Sequence, residues 1–423
     1  MSNFKASTNV YDVPLGKKDQ SSEMERVWGI GKTAEKYEKA DVPSLYNLPD
    51  TAVFCKKCVM TNQRPRIVFD DEGVCNACRY WERKEKLIDW KSREKELQDL
   101  CDRFRRKDGR HDVLVPSSGG KDSAFVAHQL KYKYNMNPLT VTWAPHIYTD
   151  IGWKNFQGLI HAGIDNVLGT PNGIVHRRLS KLCTIDMGDP MQPFIFGQVN
   201  FPPRMAIAYD IPFVMDGENA EVVYGGDPSS ENDKGYKFKD GDLDKYAFSN
   251  KPLEYWFDHG FTKQDLSHYM HPTDEESSRV KIERHYMTYY TDWRPQSNYY
   301  YCVENTGFQA KPDGRSEGTF SKYASLDDQI DPWHFYFMLL KFGTGRATND
   351  AAHEVREDLI TRDEAVRLVR RYDAEFPSEK SYKFILEYCD FTEEEFRSTC
   401  ERWRNLNLWE KKGSDWVLKQ QVT

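Results

Sequence analysis

The run "HDVLVPSSGGKDSAF", His111 to Phe125, sets three serines, two glycines, a lysine and an aspartate between an apolar stretch and a helix-like pattern. Glycines after a strand leave backbone N–H groups facing outward, and a helix N-terminus adds positive potential, so such a turn favours an anion. The common phosphate-gripping motif G-x-x-x-x-G-K-[ST] needs a hydroxyl directly after the lysine to hold a metal ion. Here Lys121 is followed by Asp122, so the loop addresses a different part of a nucleotide. Upstream, Cys55/Cys58 and Cys75/Cys78 form two C-x2-C pairs separated by sixteen residues. That spacing reads as a zinc site. Four thiolates close a tetrahedron and leave no position for water or substrate, so the zinc is expected to be structural.

The loop needs a strand before it and a helix after it. "DVLVP" reads as a short buried strand and Ser123 to about Tyr134 as a helix; "PLTVTWA", "DNVLGT" and "IPFVMDGEN" read as further strands, with helical "WKNFQGLIHAG" among them. This alternation predicts an α/β fold with a parallel sheet, whose ligands sit at the carboxyl ends of the strands. Six segments follow from the patterns: an extension 1–50, a cysteine module 51–81, a charged connecting helix 82–110, the loop-bearing domain 111–227, a Tyr-rich insertion 228–326 and a mostly helical region 327–423. On the connecting helix, Leu97, Leu100, Cys101 and Phe104 form one apolar stripe. "TRDEAVRLVRRYDAEF" opens with a threonine cap and an acidic first turn.

The formal net charge of −7 argues against a nucleic-acid partner. With no apolar run of membrane-spanning length and no signal-like N-terminus, the chain is expected to be cytoplasmic, its nine cysteines reduced.

Ser118-Gly119-Gly120-Lys121-Asp122-Ser123 resembles the SGGxDS signature of the PP-loop ATP pyrophosphatase superfamily. The segments "CVMTNQRPRIVFDDEGVCNAC", "PLTVTWAPHIYTDIGWKNF", "GDPMQPFIFGQVNFPPRMA", "GENAEVVYGGD" and "KFGTGRATND" are together similar to the N-acetyl sugar amidotransferases of bacterial surface-polysaccharide (lipopolysaccharide and O-antigen) synthesis. The resemblance runs from Cys55 to the C-terminus and leaves out the extension. It implies conversion of a sugar acetamido group to acetamidino. The amide oxygen attacks the α-phosphorus of ATP, pyrophosphate leaves, and ammonia displaces AMP from the O-adenylyl imidate. Positioning and charge stabilisation carry such a reaction.

On this reading Lys121, Asp122 and Ser123 are catalytic, and Ser117, Ser118, Gly119 and Gly120 complete the pyrophosphate cradle. Asp122 orients the loop or a water on Mg²⁺. Val141 and Trp143 face adenine by superfamily analogy. Lys341 and Arg346 flank two glycines and could clamp phosphate, or could equally satisfy a helix end. Glu218 and Glu221, at i and i+3, are candidates for a shared Mg²⁺ or substrate face; a solvated acidic turn is the alternative. Trp143, His146, Gln198, Arg204 and the run "NYYYCVENTGF" offer stacking and polar groups for the sugar nucleotide, against the alternative of plain packing.

Two rival functions remain at this stage: a PP-loop transfer-RNA thiolase with a structural zinc module, and a catalytically inactive zinc-ribbon scaffold. Residue 2 is serine, and neither Cys183 nor Cys302 is flanked by the glycines of a nucleophile elbow, so no glutaminase is expected within the chain. The resemblance implies a separate glutaminase acting with a barrel-type subunit.

Overall fold

The computed structural model describes residues 37–235 and 251–423. Most of the N-terminal extension and part of the Tyr-rich stretch lie outside these residues. Five strands, β1 (Val113–Pro116), β2 (Pro138–Trp143), β3 (Asp165–Gly169), β4 (Phe213–Asp216) and β5 (Glu283–Tyr286), form one parallel sheet in the order β3-β2-β1-β4-β5. Strand order reverses between β1 and β4, which makes the end of β1 the switch point where ligands of such sheets bind. A separate antiparallel hairpin, β6 (Trp409–Lys412) and β7 (Asp415–Leu418), follows the C-terminal helices. The expected α/β fold is present, and "DVLVP", "PLTVTWA", "DNVLGT" and "IPFVMDGEN" supply β1 to β4.

The pleat decides which layer each side chain joins. Val113 and Val115 point to a layer containing Ala127, Leu130 and Cys302, together with Phe213 and Met215. Leu114 and Val214 point the other way, into a larger core with Trp143, Phe196, Trp333 and Phe337. Helices therefore cover both faces, and β1, β2 and β4 are almost wholly buried.

Two expectations need revision. The charged connecting helix is two helices, Asn76–Leu87 and Trp90–Phe104. The break falls where Asp89 caps the second, its carboxylate accepting from Lys91 and Ser92 N–H groups at 3.1 Å. The Tyr-rich stretch is more than an insertion, because it supplies β5. That strand, "ERHY", lies on the sheet edge with one residue exposed and three half-buried. An edge strand carries little apolar alternation, so no periodicity announced it.

The cysteine module docks on the C-terminal helices. Arg362 donates to the carbonyls of Cys55 (3.1 Å) and Cys58 (3.1 Å), and Arg356 reaches Cys58 Sγ at 3.9 Å. Among the described residues, no helix is long and apolar enough to cross a membrane.

Asp216 closes β4 and pairs with Arg284 of β5 through two hydrogen bonds, one of 2.9 Å; their side chains are 14% and 15% exposed. Removing one member strands a largely buried charge. Asp216→Ala is expected to cost about 3 kcal/mol, read as a lower urea midpoint at unchanged slope. A loss under about 1 kcal/mol, the range of surface pairs, would mean that the pair does not hold this edge.

Candidate active site at the serine-glycine loop

β1 runs directly into the loop, and Ser117 N–H extends the ladder to Val141 O at 2.9 Å. The turn is locked internally. Ser117 Oγ accepts from Gly119 N–H (3.2 Å) and donates to Ser123 Oγ (2.9 Å), which donates to Gly120 O (3.1 Å). Gly119 has φ +85°, and a Cβ there would stand 2.5 Å from Phe156 Cα. Both facts demand glycine. The helix Lys121–Tyr132 begins at Gly120 with no side-chain cap, so its first amides are left to face an anion.

A cavity of about 230 Å³ opens over this turn at the carboxyl ends of β1 and β2. Ser117, Ser118, Gly120, Asp122 and Ser123 form one side; Val141, Trp143 and Gln198 form the other. Trp143 is held by close approach: a Cβ on Gly197 would lie 2.0 Å from its indole. The structure thus brings together the loop residues, the two adenine candidates and Gln198.

Lys121 turns the other way, into a narrow cavity shared with Asp122, Glu218, Tyr224, Arg346 and His353. Its Nζ lies 2.7 Å from Asp122 Oδ2. Asn298 donates to Asp122 Oδ1 at 3.4 Å, and Cys302 Sγ donates to Lys121 O at 3.1 Å, so the helix Pro295–Asn305 backs the loop. Arg346 pairs with Asp350 at 3.0 Å and lies 5.0 Å above the Phe335 ring. Burial and the neighbouring Asp122 charge push the Glu218 carboxyl up to about 7, and the Tyr224 hydroxyl donates to it. His353 is buried with neither ring nitrogen hydrogen-bonded; burial and the nearby arginines hold it neutral.

Several expected site residues are elsewhere. Glu221 diverges from Glu218: its carboxylate pairs with Arg66 and accepts from Asp227 N–H at 2.7 Å. Lys341 is buried among the rings of Tyr46, Phe342 and Trp403, with Nζ 3.3 Å from Met187 O. An aliphatic stem on an apolar helix face carried it into the core, so of the proposed phosphate clamp only Arg346 reaches the loop. His146 is a core histidine, its Nδ1 and backbone N–H both 2.7 Å from Asp328. Arg204 Nε donates to Met270 O at 2.8 Å and lines neither cavity at the loop. The "NYYYCVENTGF" run packs behind the loop: Tyr299 stacks on Tyr323 with centroids 4.5 Å apart.

The sequence reading passed over Asp327. Burial and the adjacent Asp328 push its carboxyl up, while a hydrogen bond from Ser118 of the loop opposes that. Asp331 is pushed up further by burial and by Asp327. "SLDDQID" ahead of an apolar helix reads as ordinary helix capping, which hid these acids.

The four cysteines lie buried with their sulfurs all within 4.8 Å of one another, a group able to hold a metal ion. Cys55–Cys78 and Cys58–Cys75 are 3.9 and 3.8 Å apart.

A parallel sheet whose first strand opens at the switch point into S-G-G-K-D-S and a helix N-terminus has the architecture of a PP-loop fold. Its C-terminal quarter, residues 317–423, matches the family described as "LPS biosynthesis protein WbpG-like, C-terminal domain". The chain is also 28% identical over 92 residues to the uncharacterized protein MJ1599 of Methanocaldococcus jannaschii, covering 21% of this chain and 31% of that one. It therefore spans about a third of that curated relative. Among solved structures, the NH3-dependent NAD synthetase of Campylobacter jejuni is similar at 14% identity and a TM-score of 0.27, over 46% of this chain and 92% of that one. The U34-tRNA thiolase NcsA of Methanococcus maripaludis, with its [4Fe-4S] cluster, is similar at 13% identity and a TM-score of 0.27, over 80% and 96%.

Glu218 carries a testable penalty. Its carboxyl titrates near 7 in the fold against 4.5 when free. The folded chain thus holds a proton that the unfolded chain has lost, and stability falls as pH rises from about 4.5 to about 7 and stays lower above. Glu218→Gln should be more stable than the parent at pH 8 by roughly 1–3 kcal/mol, and equal to it near pH 4.5, by urea unfolding. Equal stability at both pH values would show that the site does not strain this carboxylate.

Proposed function

We propose that this chain is an ATP-dependent, AMP- and pyrophosphate-forming amidotransferase that converts the acetamido group of an N-acetylated nucleotide sugar to acetamidino for lipopolysaccharide O-antigen synthesis in the cytoplasm. The observation that carries this reading is that the WbpG-like C-terminal part builds onto the PP-loop itself, giving Arg346, Asp350 and His353 to the cavity at Lys121 and Asp327 to Ser118. An ATP-cleaving loop and a polysaccharide-biosynthesis region share one site.

ATP lies with adenine against Val141 and Trp143 and its phosphates over the uncapped helix. The acceptor amide oxygen attacks the α-phosphorus, and the α–β bridging bond breaks. Lys121 and Arg346 take up the charge of the departing pyrophosphate. Ammonia then adds to the imidate carbon and AMP departs, leaving the amidine. Asp122 and Glu218 would hold Mg²⁺, which neutralises phosphate charge when bound. A carboxyl pushed up to about 7 by burial and then by the charge of Asp122 would gain from a divalent cation between the two.

The cysteine module would hold zinc. About 2.3 Å zinc–sulfur bonds in a tetrahedron set the sulfurs about 3.8 Å apart, which matches the spacing found. A four-iron cluster puts each thiolate on its own iron and needs a wider frame. Ammonia would come from a separate glutaminase and its barrel-type partner. In support, all nine cysteines are buried, and burial pushes the Cys302 thiol up to about 12 and the Cys183 thiol further, so neither is poised as a nucleophile.

The test is to incubate the purified chain with ATP, ammonium and a panel of N-acetylated nucleotide sugars, following pyrophosphate and product mass. One sugar should lose oxygen for NH with ammonium and not with glutamine. Lys121→Ala should slow pyrophosphate release on the order of a hundredfold. No pyrophosphate with any sugar, or efficient use of glutamine by the chain alone, overturns the reading. For the metal, one zinc per chain is expected by elemental analysis, and Cys75→Ser should lose it along with the fold of the module. Iron and labile sulfide would replace the zinc assignment.

A further inference from the structure

A cavity of about 930 Å³ lies beside the loop, between the start of the helix Asp150–His161 and the helix Glu379–Tyr388. We propose that it binds the acceptor as a nucleoside diphosphate sugar, with the acetamido sugar at the Asp328 end and the nucleotide toward Lys380. This rests on the amidotransferase reading and names where its second substrate sits.

Size separates the two substrates. The cavity over the loop, about 230 Å³, falls short of the roughly 300–1,000 Å³ usual for small-molecule sites, whereas about 930 Å³ is near the upper end. The loop cavity suits part of one nucleotide, and the larger one suits a two-part ligand.

Position makes the larger cavity productive. Thr149 lies in its wall and donates its backbone N–H to Asp327 O at 3.1 Å; Asp328 lies in the same wall. Asp327 is hydrogen-bonded to Ser118. It is pressed so close to the helix Asp150–His161 that a Cβ on Gly152 would lie 2.4 Å from its Cα. A single residue thus separates the inner end of the cavity from the phosphate loop. An amide oxygen entering there would be held next to the loop, with Arg346, which lies over the Phe335 ring of the same wall, close by.

The wall carries both signs, with Asp150, Asp313, Glu317, Asp328 and Glu387 among its acids. The cations that would take the diphosphate are Lys311 and Lys380, which both line the cavity and make no ion pair among the described residues. Unpaired ammonium groups at a cavity wall recognise phosphate as point charges. Phe384, stacked on Tyr388 with centroids 5.4 Å apart, presents an aromatic surface suited to a base. Asp331, its carboxyl pushed up by burial and by Asp327, lines the inner end, where it can hydrogen-bond a sugar hydroxyl. Most of this wall, from Glu317 onward, belongs to the WbpG-like region.

Binding of UDP-N-acetylglucosamine, UDP and free N-acetylglucosamine would be measured by calorimetry on the full chain, with ATP binding measured in parallel. Wild type should bind the nucleotide sugar and UDP but not the free sugar, without displacing ATP. The double variant Lys311→Ala/Lys380→Ala should weaken UDP-N-acetylglucosamine on the order of tenfold or more, with ATP affinity unchanged. Phe384→Ala should weaken it too. Competition between the nucleotide sugar and ATP, parent-like affinity in the double variant, or no binding by wild type overturns the assignment. The amidotransferase reading fails separately, through absence of sugar-dependent pyrophosphate release in the wild-type chain.

Discussion

The site depends on one close approach, the backbone of Gly119 against the backbone of Phe156. A side chain at position 119 would overlap Phe156 Cα, and only glycine adopts the φ of +85° without strain. That contact presses the turn down on the helix Asp150–His161 and aims the uncapped amides of the next helix into the open cavity. Because the helix Asp150–His161 also abuts Asp327, the same packing fixes the distance between the phosphate loop and the acids beside the larger cavity. The anion-favouring turn and the neighbouring acids are therefore placed by two close approaches to one helix, Gly119 against Phe156 and Asp327 against Gly152.

Charge then divides the space around the loop. The helix N-terminus and the serine hydroxyls favour negative charge on one side. On the other side, Asp122, Glu218, Asp350 and Glu354 outnumber Lys121 and Arg346. Such a cluster cannot be fully ionised at low cost, and burial and mutual repulsion push Glu218 and Glu354 up to about 7. A bare polyanion would be repelled by this cluster, so the surplus of carboxylates sets this cavity apart from the anion-favouring turn.

Much of this was legible in the sequence where local chemistry and global geometry agree. "VPSSGGKDS" announces a strand, a glycine turn and a helix start because each residue serves its own local need. The paired C-x2-C spacing is equally self-contained. What failed was long-range. Glu218 and Glu221 share a helical face by spacing, yet Arg66, a residue of the cysteine module distant in sequence, draws Glu221 away. Lys341 looks cationic beside two glycines, but the surrounding helix is apolar and its stem packs with three rings. β5 and Asp327 carried no periodic signal, because one is an edge strand and the other resembles a cap.

The cysteine module, far from the chemistry, reaches the site through one helix. Arg346–Arg356 carries Arg346, Asp350 and His353 on the side facing Lys121, and at its end Arg356 donates to Cys58 Sγ (3.9 Å) and to Val223 O (3.1 Å). Val223 closes the short helix that follows Glu218. A buried guanidinium held between a cysteine sulfur and a backbone carbonyl resists displacement, since moving it would strand charge in a low-dielectric interior. The cysteine group is thereby tied both to the helix bearing Arg346 and to the segment bearing Glu218. Disrupting that group would loosen the register of this helix against the loop.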